Sequence, residues 1–187
     1  PADQNGRLIP DMTSMNKVFA DLPVTIFEAM SQAARDNNAI NLGQGFSDSN
    51  GPPDVVEAAA RALTERSNQY PPSRGLPELR DALSAYHRRT YGADVGTDRI
   101  TVTGSGMSAI ALSMQSLIDA GDEVVVVSPV WPNVFASIRI MGGVVRQVPL
   151  ALENGKWTLD PDRLFDACGP RTRMIFVNSP CNPTGWT

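Results

Sequence analysis

The chain has 187 residues, 42% of them hydrophobic and 19% charged, with a net charge of −4. That balance is ordinary for a globular protein with a buried core and argues against a disordered chain. It also argues against a nucleic-acid partner. No basic stripe is present, and the densest basic cluster, His87-Arg88-Arg89, falls at the end of an expected helix, where positive charge suits the helix dipole.

Two cysteines, Cys168 and Cys181, provide neither a disulfide framework nor metal-ligand spacing. A reducing, cytoplasmic location and no metal site are therefore expected. One histidine, His87, leaves no in-chain Ser-His triad. The apolar run Val124 to Val127 is too short to span a bilayer, and the polar start PADQNGRLIPDM lacks a signal-peptide pattern.

Residues 1–22 read as an irregular arm. Residues 24–37 read as a helix, because Ile26, Phe27, Met30 and Ala33/Ala34 recur at helical spacing. A short apolar stretch, Ile40-Asn41-Leu42, leads into a glycine-rich loop, GQGFSDSNGPP. A helix over 53–66 follows, with Pro53 in its first turn and Asp54 and Glu57 near its positive end. After the loop SNQYPPSRG, residues 76–91 form a further helix that Gly92 should cap.

From Arg99 onward, strands alternate with helices. Strands are expected at 100–103, 123–127, 144–150 and 174–177, and helices at 107–118, 133–141 and 160–167. Gly121 should end the first of these helices, and Asn154-Gly155 should form a turn. The continuous apolar run at 123–127 suits a parallel strand buried on both faces. The pattern predicts an α/β fold with a parallel sheet and right-handed crossovers.

Three unusual loops each follow an expected strand directly: Gly104-Ser105-Gly106-Met107, then Ser128-Pro129-Val130-Trp131-Pro132-Asn133, and finally NSPCNPTG from Asn178 to Gly185. In open α/β sheets, ligands bind at the carboxyl ends of the strands, so the three loops should share one edge. The first opens a helix, where free backbone N–H groups and the dipole suit a phosphate, and Ser105 adds a hydroxyl. In the second, Trp131 between two prolines offers a flat aromatic platform. In the third, Asn182 before Pro183 is held out of the α region, which fixes its amide for hydrogen bonding. A proline in such a turn is often cis. A phosphate, a flat ring and a polar ring substituent together point to pyridoxal phosphate.

The stretches NLGQGFSD (41–48), NQYPPSRGLPELRDAL (68–83), ITVTGSGMSAI (100–110), GDEVVVVSPVWPN (121–133) and NSPCNPTG (178–185) resemble the fold-type-I pyridoxal-phosphate aminotransferases of the aspartate/kynurenine/methionine class. The resemblance covers nearly the whole chain from Asp21 on. It implies an aminotransferase acting on an amino acid and a 2-oxo acid. It also implies a three-layer α/β/α large domain with a mainly parallel sheet, preceded by an N-terminal arm and small-domain segment. On that reading, residues 1–52 are the arm and small-domain segment, and residues 53–187 begin the cofactor-binding large domain. A homodimer is implied as well.

By the same resemblance, Ser105, Gly106 and Met107 would hold the cofactor phosphate, Trp131 would stack on the pyridine ring, and Asn182 would donate to its phenolic oxygen. Gly45 would help hold the substrate carboxylate through its backbone, and Asn182 would also contact the substrate. Tyr70 would reach a partner's phosphate across the dimer. Phe27 falls where the family often places an aromatic residue that lines the pocket for the substrate side chain, a pointer to apolar or aromatic amino acids.

The sequence departs from the family in two places. Ser105-Gly106-Met107-Ser108 stands where Gly-Ala-x-Glu is common. The two lysines, Lys17 and Lys156, both lie before the NPTG turn, whereas the family's Schiff-base lysine comes well after it. The catalytic residues are thus expected to lie outside this sequence, with the chain an N-terminal portion that is inactive alone.

Three other readings compete. A carbon–sulfur β-lyase would share the fold and most of the motifs. A non-enzymatic regulatory module would explain the missing lysine. A dinucleotide-binding domain would use Gly104-x-Gly106-x-x-Ala109, but it needs an acid at the end of the next strand, and Val127-Ser128-Pro129 has none.

Overall fold

The computed structural model describes residues 17–20, 24–45, 47 and 49–187. The chain divides into two compact units, Pro1–Ser73 and Arg74–Thr187. Most of the expected arm at 1–22 lies outside the described residues, as do Phe46 and Asp48 of the glycine-rich loop.

The first unit contains helices α1 (Lys17–Ala20), α2 (Ile26–Asp36) and α3 (Pro53–Glu65), none with a buried residue. Where the arm is described, at 17–20, it is helical. Thr25 caps α2, its hydroxyl accepting the Glu28 N–H at 3.2 Å. Pro53 opens α3, as its fixed φ allows.

In the second unit, α4 (Pro77–Tyr91) ends at Gly92, whose φ of +64° suits a glycine in the left-handed region. Its last turn carries Arg88, paired with Asp94, and Arg89, stacked over the Tyr86 ring at 5.7 Å. A 3-10 turn at Thr97–Arg99 follows, then α5 (Gly106–Leu117). The elements β1 (Glu123–Ser128), α6 (Asn133–Ile140), β2 (Val144–Pro149), β3 (Ala151–Glu153), β4 (Lys156–Thr158), α7 (Pro161–Asp166) and β5 (Thr172–Phe176) complete it.

One expected strand does not form. Ile100 is extended, at φ −110° and ψ 127°, but residues 100–103 join no ladder among the described residues. Their backbone bonds go to loops instead. The Val102 N–H donates to the Arg74 carbonyl at 3.1 Å, and the Ile100 N–H donates to that of Thr97. An apolar, β-branched run supplies the conformation of a strand, but a ladder also needs a neighbour in register. The helix that follows also ends early, at Leu117, with Ile118 as its cap and Gly121 in the turn beyond.

The main sheet is parallel, in the order β2-β1-β5, with β1 at its centre and buried along its whole length. Alternate valines of β1 serve opposite faces. Val124 and Val126 pack with Met114 and Ile118 on one side, beneath Val134 and Ile138 of α6. Val125 and Val127 pack with Val148, Leu150 and Leu164 on the other, where Trp157 of the β3-β4 hairpin also closes in. Helices thus cover one face, and α7 with the hairpin covers the other. The hairpin turn uses Asn154 and Gly155, both at positive φ, as a two-residue connection between strands requires.

Glu123 opens β1 and is buried, 5% exposed. Its carboxylate meets Arg146 of β2 at 3.0 Å and Arg171, just before β5, at 2.6 Å. The Arg146 hydrogen bond, helped by both guanidinium charges, holds the Glu123 carboxyl below the usual carboxylate range, against the burial that would raise it.

Two tests follow from this packing. A Cβ on Gly143 would sit 2.9 Å from the Ile118 and Ile138 methyls. Gly143→Ala is therefore expected to cost about 1–3 kcal/mol in denaturant unfolding, whereas Gly169→Ala, with open space around it, should stay within about 0.5 kcal/mol. Equal losses would contradict the packing described. Glu123 has its pKa depressed in the folded state. Its contribution is complete above the unfolded value of about 4.3 and is lost as pH falls through the lower folded value. Glu123→Gln should be less stable than wild type at pH 7, and the gap should close with acidification below about pH 4.3. A gap that is constant with pH would show that the carboxylate charge is not what matters.

Candidate functional site

All strands of the main sheet are parallel, so the carboxyl ends of β1, β2 and β5 share one edge. Two of the three loops leave from that edge, after Ser128 and after Phe176, and their side chains converge there. Ile110 of α5, Val130 and Trp131 after β1, Val134 of α6, Phe176 of β5, Asn178 and Asn182 line one cavity of about 260 Å³. Trp131 and Asn182, far apart in sequence, therefore lie at a single site.

The NSPCNPTG turn is braced internally. The Asn178 carboxamide accepts the Asn182 N–H at 2.9 Å and donates to the Pro180 carbonyl at 3.3 Å. Gly185, at φ +70°, donates its N–H to the Cys181 carbonyl at 2.7 Å, and the Cys181 N–H donates to the Trp186 carbonyl at 2.8 Å. The peptide bonds before Pro180 and Pro183 are cis, as is that before Pro129 in the Trp131 loop. With its backbone held this way, Asn182 has a carboxamide with no partner among the described residues.

The third loop opens α5. Ser105 is its N-cap, the hydroxyl accepting the Ser108 N–H at 3.0 Å and pairing with the Ser108 hydroxyl at 3.0 Å. Ser108 thus stands where a family glutamate is common and forms a hydroxyl pair with the cap. The Gly106 and Met107 N–H groups find no acceptor among the described residues. Open space surrounds both Gly104 and Gly106. Two free donors, two hydroxyls and the positive end of a 12-residue helix suit an anion. The Met107 sulfur receives the Asn133 amide at 3.9 Å, which ties this helix start to that of α6.

The remaining predicted residues, Gly45, Tyr70 and Phe27, lie in the first unit. Gly45 has open space where a Cβ would be, Tyr70 is 99% exposed, and Phe27 is half-buried on α2. Sequence reasoning missed Asn178 and the apolar lining from Ile110, Val134 and Phe176. Asn178 was visible in the motif, four residues before Asn182, the spacing at which it now accepts the Asn182 N–H. The dinucleotide reading loses its strand before Gly104 as well as its acid, so the geometry does not favour it.

Among the described residues, no helix is long and apolar enough to cross a membrane. Comparison with known proteins places this architecture. Residues 37–187 match the family described as aminotransferase class I and II. The chain is 39% identical over 162 residues to the probable N-succinyldiaminopimelate aminotransferase DapC of Mycobacterium tuberculosis, covering 86% of this chain and 41% of that one. It is 42% identical over 146 residues to the aspartate/prephenate aminotransferase of Thermus thermophilus, covering 78% of this chain and 38% of that one. The solved structure of the M. tuberculosis N-succinyldiaminopimelate aminotransferase superposes with a TM-score of 0.85 at 36% identity, over 91% of this chain and 44% of that one. The chain thus spans about two fifths of the length of the curated relatives it matches. With four fifths of its residues inside the family match and a TM-score of 0.85 to a solved member, the chain belongs to the class I and II aminotransferase family.

Proposed function

We propose that this chain forms the cofactor-binding face of a pyridoxal-phosphate-dependent aminotransferase, which moves an amino group between an amino acid and a 2-oxo acid. The observation that carries the reading is the meeting of Trp131 and Asn182 in one cavity, which Ile110 of α5 also lines, although Ser105, Gly106 and Met107 at the start of that helix do not line it. The residues present fit the cofactor's three chemical demands. Free N–H groups and hydroxyls at 105–108 suit a phosphate dianion. The Trp131 indole suits a flat pyridine ring. The unpartnered Asn182 carboxamide suits a phenolic oxygen.

When bound, pyridoxal phosphate supplies the carbonyl that takes up the amino group and the ring that accepts the electron pair released at the substrate's α-carbon. This chain's part is to bind and orient. Ser105, Gly106 and Met107 would hold the phosphate. Trp131 sets the plane of the ring and shields one face from water. Asn182 donates to the phenolic oxygen and stabilises its negative form, with Asn178 holding the turn in place. Gly45 offers a backbone N–H to the substrate carboxylate, and Asn182 is a second substrate contact. Within the same reading, the large domain begins near residue 53, the protein is a cytoplasmic homodimer, and Tyr70 reaches the phosphate of the partner subunit.

Equilibrium titration of the purified apo-protein with pyridoxal 5′-phosphate tests this. Trp131→Ala is expected to weaken binding about tenfold, with partial recovery in Trp131→Phe, since ring stacking contributes about 1 kcal/mol beyond area. Asn182→Ala should cost about tenfold or more and shift the bound cofactor's visible absorption, because a hydrogen bond to a charged oxygen is lost. Wild-type affinity in both alanine variants would refute the assignment.

A further inference from the structure

The two loops that wall the cavity are not joined only through what they enclose. The Cys181 thiol is buried, 6% exposed, and its Sγ donates to the Pro129 carbonyl at 3.2 Å. Pro129 follows the last residue of β1 and lies two residues before Trp131. Cys181 immediately precedes Asn182. One side chain therefore ties the backbone that carries the indole to the backbone that carries the carboxamide, across 52 residues of sequence. Both backbone groups of Cys181 are engaged as well, its N–H with the Trp186 carbonyl and its carbonyl with the Gly185 N–H. The backbone that carries the thiol is thus held within the turn, next to Asn182. Among the described residues, no other side-chain hydrogen bond joins these two loops.

We propose that Cys181 is a positioning residue. Its S–H···O=C bond to Pro129 sets the separation of Trp131 and Asn182, and so the width of the slot into which a flat ring fits. A thiol is a weak donor, but this one sits on a buried cysteine against the Pro129 carbonyl, so opening the slot would break the bond and expose the Cys181 side chain. The inference concerns the geometry of the two loops, and its bearing on the cofactor rests on the reading under Proposed function.

The test compares wild type with Cys181→Ser, which keeps a donor, and Cys181→Ala, which does not. In the apo-protein, hydrogen exchange followed by mass spectrometry should rise about threefold to tenfold over residues 129–134 in Cys181→Ala and stay near wild type in Cys181→Ser. Unchanged exchange in Cys181→Ala, or an equal rise in both variants, overturns the clamp, because thiol volume or nothing at all would then matter. This readout does not depend on the cofactor. In pyridoxal 5′-phosphate titrations, Cys181→Ala should weaken binding about threefold to tenfold, with rescue by serine and an altered visible circular dichroism of the bound ring. A wild type that binds no pyridoxal 5′-phosphate refutes the cofactor reading and leaves the exchange result to decide the clamp. Normal affinity and dichroism in Cys181→Ala, with the wild type binding, overturn the link between clamp and ring.

Discussion

Valine fills four successive positions of β1, so the strand's own apolar pattern does not distinguish one register from the next. A slip of one residue would exchange valine for valine on both faces. The polar residues at the strand's ends make the difference. Glu123 is buried at the start, and only in the observed register does it meet Arg146 of β2 and Arg171 beside β5. Any shift would carry a carboxylate away from its partners, and an unpaired buried charge costs more than the pairing gains. This one ion cluster, at the amino edge of the sheet, thereby determines where the chain emerges at the opposite edge. The positions of Pro129 and Trp131 follow from it.

The site depends on that registration because its parts come from separate strands. Trp131 is delivered by β1, the Asn178 to Asn182 turn by β5, and Ile110 by a helix packed on the same core. Each loop is stiffened locally, by prolines and by the Asn178 carboxamide, and the Cys181 bond joins the two. Rigid loops on a sealed sheet suit a preorganised site, since the ordering is complete before a ligand arrives.

Much of this was legible in the sequence, and the exceptions have physical reasons. The valine run announced a doubly buried parallel strand, and the loops after 128 and 176 announced the edge on which Trp131 and Asn182 meet. Gly92 and Asn154-Gly155 were readable because only certain residues tolerate positive φ. Residues 100–103 have the composition of a strand, yet whether they pair depends on a neighbour, which local pattern does not encode. The short strands β3 and β4 were marked only by their turn. The Glu123 cluster and the Cys181 bond join residues 23 to 52 positions apart and leave no periodic trace. Asn178 was quoted within its motif, but its role becomes visible only once the turn's backbone is known.

The central claim is that Trp131, Asn182 and the start of α5 form one cofactor site. A crystal structure of the protein grown with pyridoxal 5′-phosphate tests it most directly. The account predicts the pyridine ring stacked on the Trp131 indole, its phenolic oxygen within hydrogen-bond reach of the Asn182 carboxamide, and its phosphate on the Gly106 and Met107 N–H groups with Ser105. Cofactor density elsewhere on the chain, or at this edge with the ring turned away from both Trp131 and Asn182, would contradict it.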